Sequence, residues 1–77
     1  MNPTDASKVH EYQIGQVFEI HGYSYPLIVT AVDSKGYNPS VTFMPAARTE
    51  SGYRSYSSFS LVVAGGQLSC SIIKQIA

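Results

Sequence analysis

The stretch Tyr25-Pro26-Leu27-Ile28-Val29-Thr30-Ala31-Val32-Asp33 decides how this chain is read. It is rich in β-branched residues, whose stiff side chains pack well on a pleated surface. At period two, Leu27, Val29 and Ala31 fall on one face, and Ile28 and Val32 on the other. A strand apolar on both faces is central in its sheet, or bends between two sheets. Pro26 has no N–H to give to a ladder, so it fits only where the strand begins.

Turn signals bracket this strand. After it, Asp33-Ser34-Lys35-Gly36 reads as a hairpin turn. The Asp33 carboxylate can accept from the backbone two residues on, and Gly36 suits the left-handed position at the end of the turn. After Tyr37-Asn38-Pro39 the next strand is Ser40 to Met44, with Val41 and Phe43 on one face and Thr42 and Met44 on the other. Pro45 ends it or places it at an edge. Before the central strand, residues 14–20 alternate, with Ile14, Phe18 and Ile20 opposite Val17, Glu19 and His21. That is the pattern of a half-buried strand. His21 to Ser24 is a turn in which Gly22 is free to take a positive φ.

Residues 46–55 read as a long polar loop, with a short helix over 46–49 as the alternative. From Tyr56 to Ala64 a further strand sets Phe59, Leu61 and Val63 against Ser58, Ser60 and Val62. Gly65-Gly66 suits a tight hairpin into a last strand, Gln67 to Ile76. Leu68, Cys70 and Ile72 share a face there, and Ile73 breaks the alternation, as a bulge would. Residues 1–12 are polar and aperiodic, so they read as a flexible N-terminal arm. The alternative is a brief helix over residues 4–9, capped by Thr4 or Asp5.

The expectation is therefore a mainly β chain, with residues 13–77 as a single small five-stranded SH3-like barrel. An OB-like barrel, or an open antiparallel sheet with a short helix, is the alternative. Hairpin-length connections favour the SH3-like meander, because OB-like barrels need a longer crossover.

With 77 residues there is room for one domain. A core of this size usually needs a disulfide, a metal or a second subunit beside it. Cys70 is the only cysteine, which excludes an internal disulfide and suits a reducing compartment. No apolar run approaches bilayer length, and no apolar leader segment opens the chain. The reading is a cytoplasmic protein that does not enter the membrane. Five Lys and Arg balance five Asp and Glu. A chain without net charge gains little from phosphate neutralisation, which argues against nucleic acid as a partner. Low charge with 44 % hydrophobic residues promotes association. The expected partner is the chain itself, as a homo-oligomer, or another protein.

Few motifs carry chemistry. His10, His21, Cys70, Glu19 and Asp33 are not spaced as metal ligands, so neither a metal nor a cofactor is predicted. Cys70 alternates with Leu68 and Ile72, and a thiol on an apolar face is a small hydrophobe, not a nucleophile partnered by His21. The many serines have no Gly-x-Ser-x-Gly elbow. Gly65-Gly66 lacks the following Lys-Ser/Thr of a phosphate loop. The chain is not expected to be an enzyme on its own.

Six tyrosines are the unusual feature. Tyr23, Tyr25, Tyr53 and Tyr56 fall in two stretches rich in Gly and Ser, a composition suited to recognition. Arg48 and Arg54 lie beside the second stretch, and arginine is enriched where interfaces concentrate their energy. These six residues are the candidate binding residues. The competing reading has Tyr25 and Tyr56 closing the ends of a barrel. The function expected is a non-catalytic interaction module that docks through tyrosine-rich loops. One alternative is a small-molecule or enzymatic site formed between subunits, as in plasmid-encoded SH3-like reductases, by architectural analogy alone. Another is weak binding of single-stranded nucleic acid on the aromatics with Lys35, Arg48 and Arg54. In length and lack of motifs the chain is similar to proteins carried by phages or mobile gene cassettes.

Overall fold

A computed structural model describes residues 6–36 and 38–77. Six strands form in chain order: β1 (Val17–Ile20), β2 (Leu27–Asp33), β3 (Ser40–Thr49), β4 (Gly52–Ser55), β5 (Leu61–Ala64) and β6 (Ile72–Gln75). One helical turn, α1 (Leu68–Ser71), precedes β6, and 3-10 segments span Ala6–Glu11 and Gly65–Gln67. All pairings are antiparallel. The sheet runs β4-β3-β2-β1-β6, with β5 also on β3. No pairing joins β6 to β4 or β5, so the sheet is open and the expected closed barrel is not formed. The open antiparallel sheet with a short helix is the architecture found.

The expected turns around β2 are present. The Lys35 N–H donates to Asp33 Oδ1 at 3.1 Å, and Gly36 has φ +84° and Gly22 φ +91°. Inside β2 the ladder slips: Val29 pairs with Phe43, but Ala31 pairs with Thr42. Thr30 is the extra residue of a β-bulge, which reverses the facing of the rest of the strand. Leu27 and Val29 are buried as the alternation requires. Beyond the bulge Ala31 is exposed and Val32 packs on the core instead.

The core lies on one face of the sheet. Phe18, Ile20, Leu27, Val29, Val41, Phe43, Val63 and Ile72 line it. Val9, Tyr12 and Leu68 complete the cluster from segments outside the sheet. The expected flexible arm is, in its described part, a 3-10 segment that supplies Val9, with Tyr12 directly after its end. These two stand three residues apart and eclipse one another on such a turn, and the Tyr12 N–H donates to the Val9 carbonyl at 3.0 Å. The Tyr12 ring meets Phe18 at 5.2 Å, and Phe18 meets Phe43 edge-on at 6.0 Å. Residues 1–5 lie outside the described residues. Ile14, expected in the first strand, is 71 % exposed. A turn that bonds the Gln16 N–H to the Gln13 carbonyl at 3.1 Å holds it outside β1.

Gly65-Gly66 opens a helical connection, not a hairpin. β5 lies on β3 while β6 lies on β1, so the chain must cross between the two open edges. Leu68 and Ile72 are both buried, and their spacing of four suits a helical turn as well as a strand. Strand alternation would put Cys70 on their face; the turn carries it outward instead, and it is exposed.

Candidate functional site

The expected loop at 46–55 is the end of β3, a turn and β4. No helix forms over 46–49, because those residues continue β3. β2 reaches only as far as Pro45, where Leu27 pairs. Beyond it, Ala46, Ala47, Arg48 and Thr49 pair with Ser55, Arg54, Tyr53 and Gly52. A two-stranded ribbon thus continues past the end of β2. Its tip, Glu50-Ser51, is closed by the Thr49 hydroxyl, which donates to the Gly52 carbonyl at 2.7 Å. Gly52 has φ +121°, a region closed to most side chains.

Pro45 explains why β4 and β5 are separate. Between the pairs Ala46–Ser55 and Phe43–Leu61, two residues of β3 face the five residues Tyr56 to Ser60. Pro45 has no N–H to give to the returning strand, although its carbonyl accepts from the Tyr56 N–H at 3.3 Å. The ladder breaks there and the chain bows outward.

The bow meets the turn between β1 and β2. The Pro26 carbonyl accepts from the Ala46 N–H at 2.9 Å, so both segments are anchored at one point of β3. Three rings form a row there. Tyr23 and Tyr25 lie 5.9 Å apart at 63°, and Tyr23 and Phe59 lie 6.2 Å apart at 38°. Tyr23 and Tyr25 are half-buried and lean on the core. Phe59 is 44 % exposed. Alternation along a continuous strand assigns Phe59 to the core face, and only the break at Pro45 places it here. Tyr56, a barrel-end tyrosine in the competing reading, is 60 % exposed.

Cross-strand partners share a face. Arg48 and Tyr53 therefore stand together on one side of the ribbon, and Ala47 and Arg54 on the other. Both arginines are exposed, Tyr53 is half-buried, and neither guanidinium has an ionic partner among the described residues. An ion pair elsewhere joins Lys74 to Glu19 across β6 and β1, at 3.9 Å. The structure thus brings Tyr23 and Tyr25 together with Phe59, and Arg48 with Tyr53, at the same end.

No described His, Cys, Asp and Glu gather in threes, and no cleft opens among the described residues. The Cys70 thiol donates to the Gln67 carbonyl at 3.2 Å, although the His21 N–H bonds the neighbouring Ser71 carbonyl at 2.8 Å. Burial raises the Tyr12 hydroxyl pKa to about 12, and that residue belongs to the core. What the ribbon end offers is flat: rings, guanidinium groups and free main chain. No protein-family model, curated protein or solved structure matches the chain.

Proposed function

We propose that this protein is a non-catalytic interaction module that docks on another polypeptide through its ribbon end. The observation that carries the reading is the convergence of the Tyr23–Tyr25–Phe59 row with Arg48, Tyr53 and Arg54 at one extremity. Rigid aromatic area and arginine are the residue types that dominate interface energies. The same reading takes the architecture as SH3-like: a meander whose last strand returns to β1 after a helical turn. An open sheet of that kind leaves its edges and one end available for contact.

The test combines two measurements on the wild type and on a Tyr53→Ala/Arg54→Ala double variant. Light scattering over a dilution series reads self-association, and affinity capture from the source cells reads foreign partners. The expected result is an assembly or a retained polypeptide that the double variant loses. A wild type that is monomeric at every concentration and retains nothing removes the reading.

A further inference from the structure

Among the described residues the outer edge of β4 has no strand beside it, and its bonding groups can be assigned. The Ala46 N–H points to Pro26 and the Pro45 carbonyl points to Tyr56. Main-chain groups of successive strand residues point to opposite sides. Ala47 and Thr49 therefore face β4, and Arg54 and Gly52 face back. The N–H and C=O groups of Tyr53 and Ser55 point outward, away from β3. Arg54 stands between them with its side chain exposed and without an ionic partner among the described residues. On the ribbon, 46–55, Glu50 is the only carboxylate, against Arg48 and Arg54.

We propose that this edge accepts an extended acidic segment of another protein as an added antiparallel strand, with a carboxylate opposite Arg54. The proposal rests on the docking reading above and specifies its partner. Strand addition draws affinity from main-chain bonds and specificity from alternate side chains. Tyr53 and Ser55 present donors and acceptors in alternation, which another polypeptide main chain matches; a DNA backbone has no donors for their carbonyls. The position opposite Arg54 is then a non-hydrogen-bonded pair, where side chains of adjacent strands approach most closely. A second copy of β4 is disfavoured at this edge in the register that pairs Tyr53 with Ser55. Reciprocal pairing of Tyr53 with Ser55 would set Arg54 against Arg54 of that copy, and like charges directly opposite are destabilising.

The test is a titration of the isotope-labelled chain with three capped heptapeptides, followed by amide NMR shifts. One peptide alternates Thr and Glu, one alternates Thr and Lys, and one is the acidic peptide N-methylated at alternate residues. The acidic peptide should bind with shifts centred on Tyr53, Arg54 and Ser55. The basic peptide should bind at least about tenfold more weakly, given the cost of like-charge juxtaposition. Arg54→Ala, an exposed change that keeps the fold's amide dispersion, should weaken the acidic peptide about fivefold, as expected of one exposed ion pair. Equal binding of acidic and basic peptides, undiminished binding after N-methylation, shifts centred on β6, or no binding at millimolar peptide each overturns strand addition. The capture experiment then separates the two claims. A partner lost on the Tyr53→Ala/Arg54→Ala variant keeps the docking reading alive even when the peptide fails.

Discussion

Tyr12 shows how far a single residue's position reaches. Its ring is 3 % exposed and fills the core beside Phe18, while its hydroxyl is buried without a hydrogen-bond partner among the described residues. A buried hydroxyl without a partner is a cost, so Tyr12→Phe should raise stability by about 1 kcal/mol in urea unfolding. Burial also raises the hydroxyl's pKa from 10.0 to about 12. In the unfolded chain the proton leaves near pH 10, so the folded state then holds more protons than the unfolded one. The stability tied to the neutral hydroxyl is complete below pH 10 and is lost as pH rises through about 12. The urea midpoint of the wild type should therefore fall more steeply between about pH 10 and pH 12 than that of Tyr12→Phe; parallel slopes would contradict the assignment. Cys70 behaves in the opposite way. Exposed on its turn, it should react with a thiol reagent in the native protein at a rate close to that of the unfolded chain.

At the scale of elements, the sequence is most legible where one residue type leaves a single local solution. Asp33 and Gly36 define their turn, and Phe18, Val29 and Phe43 reach the core by simple alternation. Legibility fails where two periods agree. Leu68 and Ile72 stand four apart, a spacing that suits strand and helix alike, and only the crossing from β3 to β1 decides for the helical turn. It fails again at Thr30, because a bulge has no required residue type. The candidate site is half legible: composition singles out its tyrosines and arginines, but the ribbon reads as a loop because its residues are polar on both faces. A projecting ribbon has no core to face, so alternation carries no signal there. Two substitutions test these elements. Leu68→Ala should cost about 2–5 kcal/mol, the usual range for emptying a buried leucine site. Gly52→Ala forces a side chain into φ +121° and should destabilise the ribbon by roughly 1–2 kcal/mol. The amides of residues 46–55 should then exchange faster, with β1 and β2 unchanged.

For the whole molecule, the asymmetry of the two ends is the central feature. One end carries the turn Asp33–Gly36, which is short and polar; the other carries the ribbon and the ring row. They lie at opposite ends of the β2–β3 pairing. The gap between the open edges at β5 and β6 is crossed by the helical connection through buried Gly65 and Leu68. The outer edge of β4 is not covered by that connection, and a further strand can be extended from it. The most direct measurement is quantitative affinity capture from the source cells with three baits: wild type, Tyr53→Ala/Arg54→Ala at the ribbon end, and Ser34→Ala/Lys35→Ala at the far end. The expected result is a polypeptide retained equally by the wild type and the far-end variant, and depleted at least about tenfold on the ribbon-end variant, as loss of two interface anchors implies. A polypeptide retained equally by all three, or lost only on the far-end variant, would contradict it.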